Sequence, residues 1–261
     1  MRANKLSHMN GPTNITKEWD SATYDVIANP MAKWGTRTLD LLVLRGNETV
    51  LDAGCGSGRV TELLAERLPR GHVIALDASS SMIARARQRL DKFSPRITFL
   101  QADLIEAIPL PHTVDAIFST ATFHWILDHD TLFTNLAAVL RPGGQLVAQC
   151  GGSGNLDNVG RAVERAGEIW GGHHYFAGPE ETAERLEKAG FVNVKTWLTE
   201  EPTQLEPGEP LKTYLATIVL RSHLASMADE EKTKFLERVA AELPDGKLDY
   251  VRLNIIARKG N

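Results

Sequence analysis

The sequence predicts an α/β protein: a doubly wound, mostly parallel sheet with helices on both faces and helical additions around one site. Two observations carry this. Between Thr49 and Cys150, short apolar runs alternate with amphipathic segments, the order expected when a helix makes each crossover between parallel strands. The turns between them are short and marked by Gly, Pro or Ser. A chain of 261 residues can bury one large core of this kind with a lid.

Taken in order, Thr49 to Asp52 reads as the first strand, and after a glycine-rich turn Val60 to Leu68 follows at helical spacing. His72 to Asp77 is a second apolar run ending in an acid. Ser79 to Ser81 can cap the helix Met82 to Leu90, whose arginines suit a solvated face. Ile97 to Leu100, Val114 to Ser119 and Gln145 to Ala148 read as further strands. Asp130 to Leu140 reads as a helix stopped by Arg141-Pro142-Gly143-Gly144. Beyond the core, Asn155 to Ile169 and Glu180 to Ala189 look helical, Val192 to Leu198 strand-like, and Pro202 to Pro210 a loop. Leu211 to Met227 and Glu230 to Leu243 are expected as two helices, and Tyr250 to Ala257 as the closing strand.

This gives one domain over residues 14–261: a core at 45–150, lid elements at 14–44 and 151–243, and a final strand at about 250–257. Residues 1–13 are polar and lack the apolar region of a secretory signal. They are expected to be a disordered leader or tag, with Met9 the candidate native start.

A formal charge of −4 gives no electrostatic reason to expect nucleic acid or an anionic membrane as partner. No apolar run approaches the ~20 residues that span a bilayer. The two cysteines, Cys55 and Cys150, are far apart and in no metal-spaced pair, so no metal site is expected. A cytoplasmic protein acting on a small molecule is the expectation.

The informative segment is Val50-Leu51-Asp52-Ala53-Gly54-Cys55-Gly56-Ser57-Gly58. A strand ends in an acid and turns through three alternating glycines into a helix, which suits a ligand lying across the strand's carboxyl end. A dinucleotide fingerprint wants a further glycine three places after Gly56, and Arg59 stands there. Asp77 ends the second strand, where a carboxylate can accept both hydroxyls of a ribose. Asp103 follows the third strand and can accept from an adenine amino group. Helix capping is the plainer role for both acids. Asp52 either touches ligand or orients the glycine turn.

The Gly54-x-Gly56-x-Gly58 turn preceded by Asp52 resembles motif I of class I S-adenosylmethionine-dependent methyltransferases. Three more features, Trp19-Asp20-x-x-x-Tyr24, Thr122-Phe123-His124-Trp125-Ile126-Leu127-Asp128-His129 and Leu140-Arg141-Pro142-Gly143-Gly144, make the chain similar to the trans-aconitate methyltransferase branch. That branch itself resembles the malonyl-carrier-protein methyltransferases. The resemblance implies a Rossmann-like sheet with the last strand antiparallel, a helical lid, S-adenosyl-L-methionine as cofactor, and a monomer or small oligomer. It implies cofactor contacts from Tyr24, Asp52, Gly54, Gly56, Asp77, Ala78, Met82, Asp103, Leu104 and Thr120. Met82 could equally be helix core, and Cys55 reads as a small packing residue.

His124 and Trp125, just past the fourth strand, fall where the methyl group is presented. His124 is a substrate ligand, a general base or part of the wall. The loop Trp170-Gly171-Gly172-His173-His174-Tyr175-Phe176 is expected to recognise substrate through His173, His174 and Tyr175. A plain surface loop and a metal site are its alternatives, and adjacent histidines rarely share one ion. Trp34 is a substrate contact or a staple for the lid. The expected reaction is O-methylation of a small-molecule carboxylate, which is ionised at neutral pH and needs no base. N- or C-methylation, methylation of a carrier-bound acyl chain and, distantly, a non-methylating nucleotide-binding protein are the alternatives.

Overall fold

The computed structural model describes residues 29–171, 174–225 and 227–261. The expected leader at 1–13, with Tyr24 and His173, lies outside them.

A seven-stranded sheet runs through the molecule in the order β3-β2-β1-β4-β5-β9-β6. Its parallel part comprises β1 (Thr49–Ala53), β2 (His72–Asp77), β3 (Ile97–Gln101), β4 (Val114–Thr120) and β5 (Leu140–Gly151). The last strand, β9 (Val251–Lys259), inserts antiparallel between β5 and the edge strand β6 (Phe191–Glu200). The strand order reverses beside β1 and β4, which opens a crevice at their carboxyl ends.

Each central strand is buried on both faces, and alternate residues feed different cores. Val50, Val73, Ala75, Ala116, Phe118 and Val147 pack under α1 (Asn29–Leu39), α2 (Arg59–Arg67) and α3 (Ser80–Leu90). Leu51, Ile74, Leu76, Ile117, Leu146 and Ala148 pack under α4 (His129–Val139) and α6 (Pro179–Lys188). Phe133, Leu132 and Leu136 of α4 are fully buried there, each worth ~1.5–3 kcal/mol against exposure. Ser79 caps α3 by accepting from the Met82 N–H at 3.2 Å, and Asp128 caps α4 through the Thr131 N–H at 2.9 Å.

A third apolar cluster gathers α5 (Asp157–Arg165), α7 (Glu209–Tyr214), α8 (Arg221–Leu224) and α9 (Asp229–Ala241) around Trp34 and Tyr250. No helix among the described residues is long and apolar enough to cross a membrane.

Four expectations need correction. The expected helix Leu211–Met227 is broken: α7 passes into a π turn at Leu215–Val219, where Leu220 N–H reaches the Leu215 carbonyl at 2.7 Å, and α8 follows. The β-branched run Thr217-Ile218-Val219 loses rotamer freedom against the preceding turn and weakens regular helix there. The expected loop Pro202–Pro210 holds β7 (Thr203–Gln204), which pairs with β8 (Lys247–Leu248). Arg141-Pro142-Gly143-Gly144 does end α4, but it already belongs to β5, anchored by the Arg141 Nε to Asp115 ion pair at 2.7 Å. Finally, the lid expected over 151–243 is divided. α6 and β6 complete the sheet instead, because Phe191 and Leu186 are apolar and bury against it.

Candidate active site

The glycine turn is built by backbone hydrogen bonds from the end of β1 to the end of β2. Gly54 and Cys55 N–H both donate to the Leu76 carbonyl at 2.8 Å, and Gly58 N–H donates to the Cys55 carbonyl at 3.0 Å. Gly54, Gly56 and Gly58 all have positive φ, the region glycine enters without a Cβ penalty. Their surroundings differ. A Cβ on Gly54 would collide with the Thr122 side chain, and one on Gly58 would press on Leu90 and Ala86 of α3. A Cβ on Gly56 would meet nothing within 4 Å. Gly56 therefore faces open space at the crevice, a floor along which a ligand can approach backbone.

The three acids have separate situations. Asp52 is buried, with its carboxylate accepting from the Thr61 hydroxyl at 2.6 Å. Burial, with the nearby Asp77 charge, pushes its pKa up to about 7 against the Thr61 hydrogen bond. It ties the end of β1 to α2. Asp77 is half-buried at the end of β2; its Oδ2 accepts from Gly56 N–H and its Oδ1 from Ser79 N–H, both at 2.9 Å. Asp103 follows β3, its Oδ1 accepting from Ile105 N–H at 3.3 Å. These two acids and Gly56 stand on consecutive strand ends and could hold an adenosine. Ala78 and Thr120 are half-buried beside them, whereas Met82 and Leu104 are core side chains.

A pocket opens next to this strip. Its wall is the turn after β4, in which Ala121 has φ 55 and Thr122 Oγ1 donates to the Gly54 carbonyl at 3.3 Å. Trp34, His124, Trp125, Trp170, Phe176 and Arg252 are among its lining residues. Its empty space is about 510 Å3, open mouth included. Trp170 lies flat on α5 because Gly160 leaves room; a Cβ there would come 2.6 Å from its ring.

His124 is buried, and its Nδ1 accepts from Gly151 N–H at 3.3 Å. Burial first, then the Arg252 guanidinium, holds its pKa well below the usual imidazole range. The ring is neutral at neutral pH, and with Nδ1 engaged its proton sits on Nε2. It can donate to a ligand and cannot serve as a base through Nδ1.

Arg252, on β9, is the residue the sequence reading missed. It is 2% exposed, its Nε donates to Gln149 Oε1 at 3.4 Å, and its guanidinium lies 4.7 Å from the Trp34 ring centroid. No Asp or Glu is among the described residues that line the pocket. Glu201, next to the neighbouring strand, is engaged by Arg37 at 2.6 Å and by Trp34 Nε1 at 3.2 Å. Only an arginine near the start of the closing strand, between Val251 and Leu253, marked this position in sequence, and which way it pointed was not readable.

The aromatic loop splits. His174 and Phe176 line the pocket, with ring centroids 4.2 Å apart. Tyr175, between them in extended chain, points the other way, as alternation requires. Its hydroxyl donates to Glu181 at 2.6 Å and accepts from Arg185 at 3.0 Å, while its N–H donates to the His124 carbonyl at 2.8 Å. Tyr175 thus braces His124 from behind, a correction to its expected place on the substrate. Among the described residues, no group of three or more His, Cys, Asp or Glu side chains is placed to hold a metal.

A sheet with this strand order, an acid-glycine turn at its crevice and acids on the next two strand ends defines a class I S-adenosylmethionine-dependent methyltransferase. Residues 50–144 match the family described as methyltransferase domain. The chain is 30% identical to trans-aconitate 2-methyltransferase of Methylobacterium nodulans, over 93% of this chain and 98% of that protein. It is 26% identical to the enzyme of the same name from Yersinia pestis, over 92% and 98%. The chain belongs to this methyltransferase family, and its cofactor is S-adenosylmethionine. Haemonchus contortus phosphoethanolamine N-methyltransferase 2, solved with S-adenosylhomocysteine, shares the fold with a TM-score of 0.63 at 19% identity, over 92% of this chain and 57% of that one. The [4+2]-cyclase SpnF shares it too, with a TM-score of 0.59 at 18% identity over 88% and 81%, so the sheet by itself does not select the reaction.

Proposed function

We propose that this methyltransferase transfers its methyl group to a carboxylate oxygen of a small-molecule acid. The observation that carries the reading is His124, buried in the pocket wall with its Nδ1 accepting from Gly151 N–H and its pKa held well below the usual imidazole range, which leaves it a donor through Nε2 and not a base. A carboxylate acceptor is already ionised at neutral pH and needs no base. The relatives named for trans-aconitate methylation point the same way.

S-adenosylmethionine, held by Asp77, Asp103 and the Gly56 backbone, would supply an electrophilic methyl to an acceptor oxygen that is already ionised, so no side chain need take a proton. The chain positions the partners. Arg252 and the His124 Nε2–H offer donors to one carboxylate oxygen, and Gln149 and Gly151 fix those two side chains. Trp34, Trp125 and Trp170 line the pocket and would shield a bound acceptor from water. Orientation of this kind is worth ~7–11 kcal/mol of barrier. A phenol or amine acceptor needs a base, and neutral His124, with Nδ1 engaged, is poorly suited to be one.

The test is an acceptor screen with the methylated product identified by mass spectrometry and then treated with alkali. Carboxyl methylation gives an ester that alkali hydrolyses to methanol and the parent acid. An alkali-stable product, methylated on nitrogen or carbon, would overturn the reading.

A further inference from the structure

We infer that Gly160 is a specificity-determining residue: by leaving room for Trp170 to lie against α5, it sets the length of acceptor that the pocket takes. This rests on the reading of the pocket as the site of a carboxylate acceptor and deepens it. Gly160 is buried inside α5, and its N–H donates to the Leu156 carbonyl at 2.9 Å. It has none of the positive φ that marks the glycine turn, so its backbone does not ask for glycine. Alanine would serve the helix better, because it loses less conformational freedom there. What asks for glycine is the Trp170 ring. A Cβ at 160 would come 2.6 Å from its Cδ1, 2.8 Å from its Nε1 and 2.9 Å from its Cγ, inside the ~3.5–4.0 Å of ordinary carbon contact.

The ring seated in this way is part of the pocket wall, beside Leu156, Ile218 and Val219. His223 stacks on it at 5.5 Å with an interplanar angle of 10°, and His174 lies 4.5 Å away, centroid to centroid. An alanine at 160 would have to displace the ring by about 1 Å to restore ordinary contact. Helix α5 and the stacked His223 stand on two sides of it, and among the described residues the pocket is the space open to it. A ring carried that far shortens the apolar reach of the pocket by about one methylene. His124, fixed by the Gly151 N–H, stays in place. The carboxylate end of an acceptor is then held as before, and only the length of its body is cut.

The experiment uses the full chain loaded with S-adenosylhomocysteine and reads the binding of straight-chain carboxylates, butanoate to dodecanoate, by calorimetry. Ester formation from S-adenosylmethionine is measured in parallel. In the parent protein, affinity should rise roughly fourfold per methylene up to the length at which the tail meets Trp170. In Gly160→Ala that limit should come about one methylene earlier, and the longest acid the parent accepts should bind at least roughly tenfold more weakly. Its Tm should stay within about 4 °C of the parent, the better helix former offsetting the cost of moving the ring, and S-adenosylhomocysteine should bind as before. Trp170→Leu should extend the limit. Gly160→Ala combined with Trp170→Leu should match Trp170→Leu alone, because no ring is left to displace. The same limit in Gly160→Ala and the parent, or a shortened limit that survives in the double variant, would overturn this inference and leave carboxylate methylation standing. Octanamide bound as tightly as octanoate, with no ester formed from any acid, would overturn the carboxylate reading instead. A parent protein that binds no member of the series would overturn both.

Discussion

The candidate cofactor strip and the candidate acceptor pocket are built in opposite ways. The strip comes from the carboxyl ends of neighbouring parallel strands, and Asp52 through Gly58 is one continuous segment. The pocket is assembled from residues as distant in sequence as Met31 and Arg252, drawn from α1, the turn after β4, the aromatic loop, the π turn and β9. The strip is held mainly by backbone hydrogen bonds, which many sequences can make. The pocket is made of side chains, which each sequence sets for itself. A cofactor shared across a superfamily and an acceptor particular to one member would produce this division.

The strongest way to break the comparison is at the glycine turn. Gly56→Val should abolish S-adenosylhomocysteine binding by putting a β-branched side chain where backbone meets cofactor. Its Tm should fall only modestly, since a Cβ there meets no protein atom and the strain at φ 54 is ~1–3 kcal/mol. Gly54→Val should lose binding and stability together, because its side chain runs into Thr122. Normal affinity in Gly56→Val, measured by calorimetry, would remove the turn from the cofactor site.

Two substitutions should separate the halves by mirror-image effects. Arg252→Gln should lower kcat/KM for a carboxylate acceptor roughly 10- to 150-fold, the equivalent of ~1.5–3 kcal/mol for a hydrogen bond to a charged group, with cofactor affinity intact. Arg252→Lys, which keeps the charge, should recover part of the loss. Asp77→Ala should weaken S-adenosylhomocysteine binding by a similar ~1.5–3 kcal/mol and leave acceptor preference unchanged. Parallel losses in both variants would mean that the two halves are not independent.

How far each half could be read from sequence follows from the same physics. The strands from β1 to β4 were legible as short apolar runs, the first two of them ending at an acid. Asp77 was placed at its strand end by that pattern alone, and β2 emerged with the expected bounds. The N-cap of α3 was legible because Ser79 precedes the helical run. The π turn at Leu215–Val219 was not, because its cause is a local conflict inside a helical pattern. Nor was the opposition of Tyr175 to His174 and Phe176, since a loop shows no period until its ends are fixed. Arg252 lies between apolar residues on a closing strand, and its direction depends on pairing with Gly151 of β5. His124 was singled out, but its protonation and the role of Gly151 in setting it come only from packing.

A smaller effect sharpens the account of the strip. Asp52 has a folded pKa of about 7, above the ~3.9 of a free aspartate. The native state therefore holds a proton that the unfolded state has lost between those values. Stability should fall as pH rises through that window and level off above about pH 7. Asp52→Asn, which still accepts from Thr61, should flatten the slope of unfolding free energy against pH. A slope unchanged from the parent protein would show that the carboxyl is ionised throughout.

The claim at the centre is that the acceptor enters as an anion and that no side chain removes a proton from it. The pH dependence of kcat with a saturating carboxylate acceptor tests this most directly. Because His124 is held neutral far below the usual imidazole range and carboxylates ionise near pH 4, the profile should be flat from about pH 6 to 8. In His124→Gln, KM should rise while kcat keeps the same flat profile. A fall in kcat on acidification through about pH 6.5, absent from His124→Gln along with ~10²–10⁴-fold of its turnover, would contradict the account and make His124 the base.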